Sequence, residues 1–231
     1  MLKNTFLSLV PIFIVSLISS TAIAQLDKQT IRFCEDVLFE TEFTERPERF
    51  CKLWKTGAKL STFGERDHHP RVINNAVKQL NQCLPPNRQI EILEPNDQSA
   101  TLKVYFTTLD KFPEIAEQHG FESVDNNWGF FYTTWNAEYE IENAVVMIAE
   151  NKLSGPRLHH FVLEELTQSM GFPGDSQRFE KSIFYENSRK FQFGRATNFS
   201  KLDQKLIRFH YEHNNAGDTP VEVGIKMAKH W

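Results

Sequence analysis

Apolar residues recur at every third or fourth position through residues 70–84, where Val72, Ile73, Ala76, Val77 and Leu80 mark one face of a helix. Asp67-His68-His69-Pro70 opens that helix, with proline suited to a first turn, and Pro85-Pro86-Asn87 stops it. Period two governs residues 101–108, in which Leu102, Val104 and Phe106 alternate with polar partners, as in a strand with one buried face. Residues 59–63 and 89–93 read as shorter strands, and 94–97 as a turn. Residues 110–128 are irregular apart from one helical turn around 113–118. The aromatic stretch 129–135 is strand-like, and 144–149 is wholly apolar, the pattern of a strand buried on both faces.

A second long helix starts at Gly155-Pro156, and a last one starts near Ser200, with Leu202, Leu206, Ile207 and Phe209 apolar and Tyr211 near its end. Ahead of all these stand two helix-like segments, 27–41 and 47–55, separated by Thr44-Glu45-Arg46-Pro47. The order is helical hairpin, β-α-β-β-β-β-α, an irregular segment and a final helix. That order predicts an α+β fold with a mixed sheet backed by two helices and an N-terminal helical hairpin. The expected organisation is 1–24 as a leader, 25–57 as the hairpin and 58–231 as one domain.

The leader is read from Lys3, the apolar run of residues 6–18 and the small-x-small site Ala22-Ile23-Ala24. This is the layout of a secretory signal peptide cleaved after Ala24. The run is shorter than the ~20 residues a membrane span needs, and no second long apolar run follows, so a periplasmic or secreted chain without a span is expected. The net charge is −4 and becomes one unit more negative once Lys3 is removed. A nucleic-acid groove needs a basic stripe, so that class of partner is excluded. In an oxidising compartment two of Cys34, Cys51 and Cys83 can pair. Cys34 and Cys51, one on each arm of the hairpin, are the favoured pair, and none of the three has structural-zinc spacing.

The helix after Gly155 carries the candidate chemistry. At roughly 100° per residue, Leu158, Val162, Leu163, Leu166 and Met170 share one face. Arg157, His160, Glu164, Thr167, Gln168 and Gly171 gather opposite, with His160, Glu164 and Gln168 at successive i, i+4 steps. Three uses are open for that face: a solvated surface, a metal site built on His160 and Glu164, or the floor of a cleft. Glu164 and Glu165 point about 100° apart and do not converge. A metal-free hydrolase would therefore need a second carboxyl from Asp175, Glu180 or Glu186.

The run Glu164-Glu165-Leu166-Thr167-Gln168-Ser169-Met170-Gly171 resembles the H-E-x-x-H-x-x-G helix of zinc peptidases. Glu164 and Gln168 stand at the histidine positions, Glu165 at the general base and Gly171 at the turn. Downstream, Gly174 falls at the third-ligand place of the metzincins, with Asp175 just after it. Ser182-Ile183-Phe184-Tyr185 is similar to the Ser-Ile-Met-Tyr turn beneath their metal, with Phe184 in place of methionine, and residues 202–211 resemble the helix that follows.

More closely, residues 164–211 resemble the bacterial family known as domain of unknown function 2927. Its members carry a similar Glu-Glu-x-Thr-Gln-x-x-Gly-x-x-x-Asp run followed by Ser-x-Phe. The departures are His210, which interrupts an apolar run before Tyr211, and a longer 185–199 segment. The resemblance implies a secreted or periplasmic zincin-like fold and implies no activity.

Of the three ligand positions, Glu164 holds a usable donor, Gln168 a poor one and Gly174 none, so zinc is not expected as a cofactor. Three functions follow. The first is a non-catalytic protein with a degenerate metal site, binding a peptide or envelope-protein partner by strand addition at residues 129–135. The second is a peptidase-like hydrolase using Glu165 with an unconventional or absent metal. The third is a structural cell-envelope protein in which Thr167, Gln168 and Asp175 hydrogen-bond the 171–182 segment.

Overall fold

The structure is a computed structural model that describes residues 27–41, 49–64, 69–122, 127–187 and 194–231. The expected signal peptide and the Thr44–Pro47 break lie outside the described residues. No helix among the described residues is long and apolar enough to cross a membrane.

Helix α1 (Lys28–Phe39) begins where Asp27 Oδ1 accepts hydrogen bonds from the backbone N–H groups of Gln29 and Thr30, both at 2.9 Å. It buries Phe33, Cys34, Val37, Leu38 and Phe39. Strand β1 is short (Leu53–Trp54), and β2 (Lys59–Phe63) leads to α2 (Pro70–Asn81), which starts on its proline as expected. A two-residue β3 (Glu91–Ile92) and β4 (Leu102–Thr107) follow. Next come α3 (Phe112–Gln118), β5 (Gly129–Trp135), β6 (Glu140–Ala149) and α4 (Gly155–Gln168), then α5 (Lys201–His213) and α6 (Pro220–His230).

The sheet runs β3-β2-β4-β6 with all pairs parallel, β1 pairs parallel with the start of β6, and β5 pairs antiparallel with β6. It is the expected mixed sheet. The apolar run in β6 is explained by what lies on each side. Ala144, Val146 and Ile148 join the main core under α2 and α4. Val145, Met147 and Ala149 join a second cluster with Phe112, Ile115 and Phe121. A strand between two apolar layers has no face left for polar residues.

Two expectations are corrected. Of the expected second helix, 47–55, the described residues 49–55 are not helical: Leu53 and Trp54 are strand, so an α-helical hairpin is absent among the described residues. Backbone pairing overrides the local pattern here. Cys51 N–H donates to Asp218 O at 2.9 Å, Gly217 N–H donates to Cys51 O at 2.8 Å, and Trp54 Nε1 donates to Ser169 O at 3.1 Å. The same tie removes the expected disulfide. Cys51 is held against the loop before α6 and Cys34 faces the core from α1, so both are buried free thiols, as is Cys83. Burial pushes each thiol's pKa up, which keeps them protonated and inert.

Candidate functional site

Helix α4 packs against α2, β5 and β6, and its polar residues are not left to water. His160, Glu164, Glu165, Thr167 and Gln168 are all buried. The carboxyl and imidazole groups keep hydrogen-bonding capacity at a large desolvation cost, so each needs a partner.

His160 finds two oxygens. Its Nδ1 donates to Ala196 O at 2.8 Å, and its Nε2 stands 3.2 Å from Glu164 Oε2, an ion-pair distance without hydrogen-bond alignment. The backbone of Gly194 closes over the ring, where a Cβ would stand 2.5 Å from Nε2. Burial works against the charged imidazole, but the Glu164 carboxylate and the Ala196 carbonyl outweigh it, so the pKa lies above its ordinary 6.5. A raised folded pKa adds stability that is complete below the unfolded value and is lost as pH rises through the folded one. His160→Gln is therefore expected to destabilise more at about pH 6 than at about pH 9 in paired thermal melts. A cost that does not change with pH would remove the charge from this contact.

Gln168 turns into the chain that follows its helix, where its Nε2 donates to Asp175 Oδ1 at 3.1 Å. Thr167 Oγ1 bonds back to Leu163 O at 2.5 Å, within the helix. Gly171 ends the helix at φ +98°, a conformation that L side chains avoid, and its N–H donates to Gln168 O. Gly174 docks on α1: its N–H donates to Val37 O at 3.1 Å, and a Cβ on it would collide with Asp36 O. That position presents backbone to a helix end and offers no donor side chain. Glu165 lies against the first residue of β5, because a Cβ on Gly129 would meet its carboxylate and the Phe161 ring. Glu164, Gln168 and Gly174 therefore do not share one direction. Among the described residues no three His, Cys, Asp or Glu side chains converge as metal donors.

The turn beneath is bonded just as completely. Ser182 Oγ donates to Asp203 Oδ1 at 2.6 Å, while Ile183 N–H and Ser200 N–H donate to Asp203 Oδ2 at 3.1 and 2.8 Å. Phe184 packs on Phe33 and Phe172 and is fully buried. Asp203 is not among the sequence-predicted site residues, yet the Ser-x-x-Asp pattern at Ser200 is a capping-box signal that marks it.

The family described as protein of unknown function (DUF2927) matches residues 27–223. The chain belongs to that family. No curated protein matches this DUF2927 chain. Two solved structures of myroilysin are similar to it in fold. One is 12% identical with a TM-score of 0.40, covering 71% of this chain and 97% of that one. The other is 10% identical with a TM-score of 0.39, covering 76% and 94%. In this DUF2927 chain, residues 164–175 span the end of α4 and the turn that brings Gly174 onto α1.

Proposed function

We propose that the protein is a zincin-like, non-catalytic component of the cell envelope whose former metal face serves as an internal lock and whose edge strand β5 takes a peptide or protein partner. The observation that carries this reading is that the three ligand positions are spent on the protein's own chain. Glu164 faces His160, Gln168 bonds Asp175, and Gly174 lies against α1. A catalytic zinc needs three converging donors and an open position for water. One carboxylate, one amide and one glycine do not fit that ion, so no hydrolytic step is assigned through it. Glu165, packed on Gly129, then has no acidified water to activate.

Partner binding is placed at β5 because, among the described residues, that strand pairs with β6 alone. Its end is open to solvent at Thr134 and Trp135. A strand edge offers main-chain donors and acceptors in register, which an extended segment can take up. A photo-crosslinking residue at position 134 is expected to give discrete adducts with envelope proteins, whereas one at exposed Val221 on α6 gives none. Adducts from 221 alone, or equally from both, would contradict this placement. A second reading, a purely structural envelope protein, is supported by the Gln168–Asp175 and Ser182–Asp203 bonds, and it predicts no adduct from position 134.

A further inference from the structure

The face of the sheet turned away from α2 and α4 is covered at one end by α3, where Phe112, Ile115 and Phe121 pack with Val145, Met147 and Ala149. Beside α3 the same face sinks into a hollow of about 370 Å³.

Strand register shows which side chains meet there. Tyr132 on β5, Val145 on β6 and Lys103 on β4 stand directly opposite one another and form one row across three strands. Thr134 and Asn143 form the row beside it, and Asn143 Nδ2 donates to Thr134 Oγ1 at 3.4 Å. Residues directly opposite on neighbouring strands point to the same side of a sheet, and all five line the hollow. Strand spacing and rise make its floor roughly 10 by 7 Å, room for a single sugar ring.

The lining is chemically uneven. Lys103 is its only residue of fixed charge, and no Asp or Glu stands among the described residues that form it. The Lys103 ammonium makes no ion pair among the described residues and lies 5.6 Å from the centre of the Phe63 ring. Its charge reaches His119 in the hollow wall, whose ring is tied to Tyr105 OH at 2.9 Å. Burial first, and Lys103 second, pull the His119 pKa below its ordinary value, so that ring adds no charge at neutral pH.

The second row is polar and uncharged. Its Asn143–Thr134 bond leaves the Thr134 hydroxyl hydrogen to donate and Asn143 Oδ1 to accept. Thr101, also in the lining, accepts from Lys59 N–H at 3.0 Å, which leaves its hydroxyl hydrogen to donate. Lys103 and Thr101 are half-buried, and Thr134 and Asn143 are exposed, so a guest can reach each of them. Between the polar groups Val145 offers apolar atoms, and Tyr132 is fixed by the Phe121 ring stacked on it at 4.3 Å. One cation, a row of hydroxyl and amide groups, and apolar atoms between them match a small ring with one carboxylate, several hydroxyl groups and C–H faces.

We propose that this hollow binds a monosaccharide acid of the uronate type, with its carboxylate on Lys103 and its hydroxyl groups on Thr134, Asn143 and Thr101. The site uses side chains on the far face of the sheet, so it depends neither on the polar face of α4 nor on the backbone edge of β5.

Nitrogen-15 NMR of the full chain, titrated with D-glucuronate, D-glucose and propionate, tests this through the Asn143 side-chain amide and the Lys103 backbone amide. D-Glucuronate is expected to shift both signals saturably, with a Kd on the order of 1 mM. D-Glucose lacks the charge and propionate lacks the hydroxyl groups, so each is expected to bind at least about tenfold more weakly. Lys103→Gln removes a charge with no ion-pair partner among the described residues. It is expected to keep the wild-type Tm and to weaken D-glucuronate about tenfold, while leaving D-glucose unchanged. Asn143→Ala should weaken D-glucuronate and D-glucose together and leave propionate unchanged. No saturable shift with D-glucuronate would overturn the proposal. So would propionate binding as tightly as D-glucuronate, or D-glucuronate binding Lys103→Gln as tightly as the wild type.

Discussion

Asp203→Ala is expected to lower the unfolding free energy by about 3–5 kcal/mol. One fully buried carboxylate accepts from Ser182 Oγ, Ile183 N–H and Ser200 N–H, and so joins the turn beneath α4 to the start of α5. Alanine orphans three donors at once, two of them buried and the Ser200 N–H half-buried, and a buried donor left unmade costs about 1–3 kcal/mol, with some relaxation between them. Burial raises the Asp203 pKa in spite of these bonds, so the negative charge is itself disfavoured on folding. Acceptor geometry is therefore what holds the turn. Asp203→Asn keeps one oxygen for the two backbone donors and is expected to cost only about 1 kcal/mol. Urea unfolding that gave equal losses for the two variants, at unchanged m-value, would show that charge matters more than acceptance.

Gly171→Ala should be nearly as damaging, at about 2–5 kcal/mol. Two costs combine. At φ +98° a side chain carries a left-handed backbone penalty of roughly 1–2 kcal/mol. A Cβ would also strike Lys52 O, a backbone atom that cannot swing away, and overpacking of that kind costs about 1–3 kcal/mol. The neighbouring carbonyls are held as well, Met170 O by Tyr211 OH at 2.8 Å and Ser169 O by Trp54 Nε1 at 3.1 Å. The helix end therefore has little room to shift. Gly120→Ala isolates the first cost, because Gly120 has φ +76° and nothing within 4 Å of a Cβ. If the two alanine variants lost the same stability, the Lys52 contact would carry no weight.

Much of the fold is readable where one period dominates a segment. The helix through Val72–Leu80, the alternation in β4 and the doubly buried β6 all follow from which residues need hiding. The glycine-ended helix carrying Glu164 to Gln168 is readable for the same reason. The failures fall where distant chain decides. Residues 51–54 read as helix because their apolar spacing fits one, but their backbone groups pair with Asp218, Gly217 and Tyr139, far away in sequence. The predicted Cys34–Cys51 bridge depends on that hairpin, and both cysteines are buried free thiols.

Helix α6 has no counterpart among the predicted elements, although Thr219-Pro220-x-Glu222 is a capping box with proline in the first turn. The candidate site divides the same way. Sequence alone placed His160, Glu164, Gln168 and Asp175 in one region, since the first three are a helical turn apart. It could not place Gly174 against α1 or Ala196 over His160, because those contacts come from loops whose path no periodicity encodes.

The proposed function requires that the polar face of α4, bonded into the protein's own loops at His160 and Gln168, hold no zinc. The most direct measurement is the zinc content of the purified chain after exhaustive dialysis against buffer free of chelator. Far less than one zinc per chain is expected, with the melting temperature unmoved by added zinc. One zinc per chain that survives dialysis, and is lost together with thermal stability in Glu164→Gln, would contradict it.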